Sequence, residues 1–282
     1  MTASYRRPLI LDEALDVLAS GDVVVAAGCT DLFPATERKR LPGNILDITA
    51  IEALSGIGWQ DGYLRIGATT TWTEIIRADL PPALKGLQLA AAEVGAMQIQ
   101  NRGTIAGNLC NASPAADGVP PLLVCDAEVE LMSTKAVRRL PLADFLMDPR
   151  ATRRAADELL SAVLLPKSGL AGRSQFLKLG ARDYLVISIA MTAARLVLED
   201  GVVTDAALAV GACGPVATRL PDVEQAMIGR PLAPNVIENE RVAAALSPID
   251  DARADASYRA DAAAELLRRT VVALGTPLKV AA

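Results

Sequence analysis

Along the opening of the chain the apolar positions change period twice. In "PLILDEALDVLA" (8–19) Leu11, Ala14, Leu15 and Leu18 recur at helical spacing behind a proline, which predicts a helix. "DVVVAAG" (22–28) is then apolar and β-branched until it stops at Gly28, the pattern of a buried strand feeding a tight turn. "TDLFPATERKR" suits a short helix or a loop, and "NILDIT" predicts a second buried strand. Together they read as a small β-α-β-like unit.

From about residue 55 the pattern shifts towards alternation. Asp61-Gly62 stands between two alternating runs and predicts a hairpin. "PPALKGLQLAAAEV" predicts a proline-started helix and "GVPPLLVCD" a short one, while "AEVELMS", "VRRLPL" and "ELLSAVLLP" predict strands. In the last third, two long β-rich runs flank Asp200-Gly201, a second hairpin signal. Helical patterns follow in "PDVEQAMIG", "NVIENERVAAAL" and "RADAAAELLRRTVVAL", which suit a small bundle packed on that sheet. The chain therefore reads as α+β, in three parts: 1–54, 55–168 and 169–282. Its 282 residues exceed the usual size of a single core, in keeping with that division.

Composition narrows the function classes. A net charge of -5 and 3% aromatic residues argue against nucleic acid, which needs a basic face and stacking platforms. "MTASYRRPLILDEAL" turns polar too early for a secretory apolar region, and "YLVISIAMTAARLVL" is interrupted by Arg195, so a cytoplasmic location without a membrane span is expected. Histidine is absent, which removes serine–histidine and cysteine–histidine nucleophile systems, imidazole bases and histidine-ligated zinc or haem. Cys29, Cys110, Cys125 and Cys213 stand singly with no C-x-x-C spacing, so no metal site is expected. No general acid or base is assigned; chemistry is expected from a bound organic cofactor or another subunit.

Two stretches invite such a cofactor. At "AAGCTDL" successive backbone N–H groups around Gly28 could form an anion-binding concavity, with Thr30 and Asp31 just beyond. An ordinary strand-to-helix turn, capped by Thr30 or Asp31, is the competing reading. "RGTIAGNLCNASPAAD" supplies Gly103, Thr104, Gly107, Asn108, Asn111 and Ser113, with Asp117 as a carboxylate able to hold a hydroxyl. It too could be a packed loop with self-satisfied caps. Neither stretch is a G-x-G-x-x-G or P-loop fingerprint.

The ordered set "AAGCTDLF", "QNRGTIAGNLCNASPAADGVPPLLVCDAEVEL", "DELLSAVLLP", "FLKLGARD", "VGACGP" and "PIDDARADASYRADAAAELLRR" resembles the FAD-binding subunit of the molybdenum hydroxylases, the family of xanthine and carbon monoxide dehydrogenases. The resemblance is collinear from near residue 8 to about 275. It implies a two-subdomain FAD-binding fold of the vanillyl-alcohol-oxidase type, followed by a C-terminal domain with an antiparallel sheet and helices. Residue by residue, it implies FAD contacts from Val25, Ala26, Ala27, Gly28, Cys29, Thr30, Asp31 and Leu32 in a first diphosphate loop. A second loop falls on Thr104, Ile105, Ala106, Gly107 and Asn108, with further contacts from Val94, Gly95, Asp117, Leu160 and Lys178. Where the family commonly has "AGGTDL" and "TIGGN", this chain has Gly28-Cys29 and Ala106. Cys29 and Cys110 are thereby candidates for a thiol bond to the flavin, and Tyr184 for a place near its ring.

Function also follows from the resemblance alone. Substrate is oxidised at a molybdenum cofactor on a large partner subunit. Electrons arrive through iron–sulfur clusters on a small one, and this chain passes them to NAD, a quinone or oxygen, within a dimer of heterotrimers. No cluster-bearing insert interrupts the flavin motifs, which favours the hydroxylase direction. The rival expectations are a self-contained flavin oxidase and a flavin-free assembly subunit of the same complex.

Overall fold

The computed structural model describes residues 4–36, 43–183 and 185–275. Strand β1 (Tyr5–Arg6), helix α1 (Leu11–Ala19) and strands β2 (Val23–Ala26) and β3 (Asn44–Asp47) come first, and the strands form a parallel sheet in the order β1-β3-β2. Helix α1 buries Ala14, Leu15 and Leu18, the face its periodicity marks. Strand β2 departs from expectation. It is an edge strand with Val24 36% exposed, while Val23 and Val25 pack partly buried against the core and all three valines also line a cavity. Residues 31–35 form turns and no helix, and the remainder of "TDLFPATERKR", from residue 37, falls outside the described residues.

The middle of the chain contains β4 (Ile57–Gln60), β5 (Tyr63–Gly67), α2 (Trp72–Arg77), α3 (Lys85–Glu93), α4 (Met97–Gln100), α5 (Ile105–Asn111) and α6 (Val119–Leu123). It continues through β6 (Glu128–Met132), β7 (Val137–Pro141), α7 (Leu142–Phe145), β8 (Leu146–Asp148), β9 (Ala151–Thr152) and β10 (Leu159–Pro166). Five strands form an antiparallel sheet in the order β4-β5-β10-β6-β7. Its central strand is β10, which is why "LLSAVLL" is buried on both faces. The hairpin at Asp61-Gly62 pairs Gln60 with Tyr63, and both turn residues take positive φ, 50° and 83°, as a type I′ turn requires.

Strands β11 (Arg173–Leu179), β12 (Ala190–Glu199), β13 (Val202–Gly211) and β14 (Thr218–Arg219) make a second antiparallel sheet, followed by α8 (Pro221–Met227), α9 (Asn239–Ala244) and α10 (Ala256–Gly275). Asp200-Gly201 again forms the type I′ turn, with Glu199 opposite Val202. The long run before it is two strands, not one. Gly180 interrupts it where a Cβ would come within 2.3 Å of Val186, and the chain doubles back so that Ile189 N–H donates to the Leu179 carbonyl at 2.8 Å.

One face of this sheet packs on α10, where Leu267 and Val271 meet Leu208 and Val210. The other joins the middle of the molecule: Phe176, Met191 and Ala207 share a core with Leu87 and Leu122. Buried arginine fixes that contact, since Arg195 donates from Nε to the Val124 carbonyl at 2.7 Å and pairs with Asp205 at 2.7 Å. No helix among the described residues is long and apolar enough to cross a membrane.

Candidate functional site

The two glycine-rich stretches touch each other. A Cβ on Gly28 would lie 2.0 Å from the Arg102 carbonyl oxygen and 2.8 Å from the Gly103 Cα, so only glycine lets the backbones approach so closely. Cys29 follows with φ of 59°, the left-handed conformation that turns the chain out of β2. On the other side, the Thr104 hydroxyl accepts from the Gly107 N–H at 3.1 Å and starts α5. The stretch read as a loop is thus a helix, with Ile105 and Leu109 one turn apart and fully buried. Asn and Gly between them mask that periodicity in the sequence.

Around this contact lies a cavity of about 990 Å³, within the usual range for a cofactor site. Its walls include Val25, Ala27, Gly28, Cys29, Thr30, Asp31 and Leu32 from the first stretch and Thr104, Ala106, Gly107 and Asn108 from the second, together with Val94 and Leu160. Ala26 and Ile105 point instead into the interior, at 4% and 0% exposure. Gly95, with φ of 55°, packs on Ile99. A smaller cavity of about 210 Å³ shares Ala27, Gly28 and Thr104 and is lined by the hydroxyl-bearing Thr49, Ser55, Thr69 and Thr71.

The Asn108 side-chain oxygen is buried and has no hydrogen-bond partner. Leaving such an acceptor unpaired costs about 1–3 kcal/mol, so its position at the cavity wall is suited to a donor from a bound molecule. Gly107 and Gly28 line the cavity with it. By size, by this unpaired acceptor and by the glycine contact, the residues fit an extended dinucleotide.

Asp117 and Lys178 are not on the wall of that cavity; they form a buried ion pair at 2.8 Å beyond it. Ser188 donates to the second Asp117 oxygen at 2.9 Å, and Lys178 also reaches the Glu93 carbonyl, at 3.5 Å. Burial pushes the Asp117 carboxyl above its ordinary range, against the pull of Lys178 and the Ser188 hydroxyl. Burial likewise raises the thiols of Cys29 and, to about 11, of Cys110, so both are protonated and weakly nucleophilic at neutral pH. Tyr184 falls outside the described residues.

The sequence reading passed over several wall residues. Trp72 is 2% exposed and packs its ring against Gly103 and Gly118. Arg150 and Arg154 reach the cavity from around β9. "DPRATRRAADE" reads as a charged surface loop, and the two-residue strand β9 is too short for any periodicity to reveal it.

Comparison with known proteins places this geometry among relatives. Residues 1–168 match the family described as FAD binding domain in molybdopterin dehydrogenase, and residues 175–274 the CO dehydrogenase flavoprotein C-terminal domain. The chain is 33% identical over 268 residues to a xanthine dehydrogenase FAD-binding subunit of Escherichia coli O157:H7, covering 91% of this chain and 90% of that one. It is 30% identical over 279 residues to the nicotine 6-hydroxylase medium subunit of Paenarthrobacter nicotinovorans, covering 96% of each. Among solved structures, quinoline 2-oxidoreductase from Pseudomonas putida 86 superimposes with a TM-score of 0.88 at 25% identity, over 98% of this chain and 97% of that chain.

Proposed function

We propose a function for a chain that belongs to the FAD-binding subunits of the molybdenum hydroxylases, an oxidoreductase flavoprotein family: it is the electron-transfer subunit of a heteromeric complex and holds FAD in the cavity around Gly28 and Thr104. The observation that carries this reading is the unpaired, buried Asn108 oxygen beside two glycine stretches in contact. FAD held there would supply electron-transfer chemistry, with iron–sulfur clusters of a small partner subunit as donor and NAD, a quinone or oxygen as acceptor. Oxidation of the substrate would belong to a large partner subunit that carries the molybdenum cofactor.

The chain's own residues bind and position. Gly28 to Thr30 and Thr104 to Gly107 would offer backbone N–H groups to the diphosphate, and Gly28 lets the two stretches close on each other around it. Asn108 accepts from a cofactor hydroxyl. Val25, Leu32, Val94 and Leu160 supply apolar wall. Asp117 and Lys178 act from behind, tying the turn after α5 to β11 so that the wall holds its shape. The parallel first sheet and the antiparallel second sheet, both contributing residues to the cavity wall, support the two-subdomain vanillyl-alcohol-oxidase arrangement. A dimer of heterotrimers in the cytoplasm completes the reading.

The test is a visible spectrum of the purified chain, with FAD assayed in the supernatant after denaturation. Stoichiometric, fully released FAD is the expected result and also excludes a thiol bond through Cys29 or Cys110. A chain that remains colourless with excess FAD, alone and in its complex, would overturn the reading in favour of an assembly subunit. Turnover of an organic substrate without partner subunits would replace it with a self-contained oxidase.

A further inference from the structure

Beside the contact between Gly28 and Arg102 lies the smaller cavity, of about 210 Å³, room for about seven waters at their share of liquid volume. It shares Ala27, Gly28 and Thr104 with the larger cavity and has none of that cavity's valines and leucines. Its hydroxyls fall into two classes. Three have turned their protons inward: Thr49 donates to the Asp47 carboxylate at 2.6 Å, Thr69 to the Leu54 carbonyl at 2.9 Å and Thr71 to the Glu74 carboxylate at 2.6 Å.

The others keep theirs. Thr104 accepts from the Gly107 N–H at 3.1 Å, and its own proton has no acceptor among the described residues. The Ser55 hydroxyl has no partner among them either. The Asn101 side-chain oxygen accepts from Thr73 at 2.6 Å, which leaves the amide NH2 as the free end. The Arg102 guanidinium lines the same cavity and pairs with no carboxylate among the described residues. Four unspent donors, one of them a guanidinium, are the chemistry of an oxyanion site.

One further group decides which oxyanion. Glu74 also lines the cavity; its Oε2 is held by the Thr71 N–H at 2.7 Å and the Thr71 hydroxyl at 2.6 Å, and its Oε1 is free to accept. A single carboxylate oxygen among donors takes a hydrogen bond from an anion that still carries a proton and repels one that does not. Orthophosphate keeps a P–OH at neutral pH, whereas sulfate has no proton to give. The charges at Thr49, Arg7 and Asp47, pair with each other at 3.4 Å, so Arg102 and Glu74 set the balance.

We propose that this cavity binds hydrogenphosphate, with Arg102, Asn101, Ser55 and Thr104 as donors and the free oxygen of Glu74 as the acceptor that tells phosphate from sulfate. The site is distinct from the cavity read as the flavin site, although Ala27 and Gly28 form a wall of both.

Full-length chain loaded with FAD would be titrated with inorganic phosphate and with sulfate by calorimetry, in a buffer free of both. Saturable binding of one phosphate per chain is expected, with sulfate weaker by about tenfold or more. Arg102→Ala should raise the phosphate Kd by about tenfold, the worth of a hydrogen bond to a charged group, and change that for FAD less than about twofold. Should it fail to fold by circular dichroism, Arg102→Gln is titrated in its place and should show the same pattern. Glu74→Gln keeps a side chain able to complete the cap of α2, and should bring the two anions to within about twofold of each other. Phosphate that binds only the FAD-free chain and is displaced by FAD would overturn the proposal, since the anion would then occupy the place of the diphosphate. No phosphate binding, sulfate bound as tightly as phosphate by the wild type, or an Arg102 variant that weakens FAD as much as phosphate would overturn it as well. If the chain takes up no FAD, the flavin reading fails by itself, and the same titrations on the cofactor-free chain decide the phosphate site by the Arg102 and Glu74 effects alone.

Discussion

The carboxylate of Asp117 and the ammonium of Lys178 meet at 2.8 Å with 10% and 7% of their side-chain surfaces exposed. They join the turn after α5 to strand β11, and removing one partner leaves the other charged group buried. Lys178→Met should therefore destabilise the chain by about 3–5 kcal/mol, and the double variant with Asp117→Asn should recover much of that loss. Urea unfolding of the two singles and the double measures the coupling. Additive losses would mean that the pair does not tie these parts together.

Gly28→Ala should both loosen the fold and empty the site, since its Cβ would lie 2.0 Å from a backbone oxygen that no side-chain rotation can move. A cost of about 1–3 kcal/mol is expected from overpacking. The flavin-to-protein absorbance ratio should fall sharply, and the melting temperature with it.

Asn108→Ala should separate binding from stability. Removing an acceptor with no partner leaves no group orphaned, so the cofactor-free chain should melt within about 1 kcal/mol of wild type. The Kd for FAD should rise by about tenfold, the value of one lost hydrogen bond in a buried site. Equal affinity in the two proteins would show that the cofactor does not donate to this oxygen.

Glu158 gives a pH signature. Arg138 beside it, together with the Ala155 N–H, holds its carboxyl below the usual glutamate value. Stability from a depressed acid is complete above the unfolded pKa and is lost as pH falls through the folded one. Glu158→Gln should thus cost about 1 kcal/mol at pH 7, limited because Arg138 is 44% exposed, and the gap from wild type should close as the pH drops below about 4.

The elements most legible in the sequence are those where one residue pair sets the backbone. Asp61-Gly62 and Asp200-Gly201 both form the turns their chemistry demands, and α1 buries three of the four residues its spacing marks. Illegible features have two physical origins. A single run of apolar residues from Phe176 onward hides two strands, because hydrophobicity alone does not register the steric break at Gly180. Residues such as Trp72, Arg150 and Arg154 reach the cavity through tertiary packing, and no local pattern encodes where a distant loop will end up. The glycine stretches stood out because close backbone approach leaves a compositional mark. The helix α5 inside one of them did not, since its buried positions are only Ile105, Ala106 and Leu109.

The contact between Gly28 and Arg102 also has a thermodynamic meaning. One side follows strand β2 of the parallel sheet and the other is the turn between α4 and α5, so the cavity beside the contact exists only while these two parts of the chain are closed on each other. Any molecule bound across a seam favours the closed form by mass action, by about 2.7 kcal/mol when its free concentration is a hundred times its Kd. A molecule seated in the cavity would thus act as a clasp on the fold as well as a reagent.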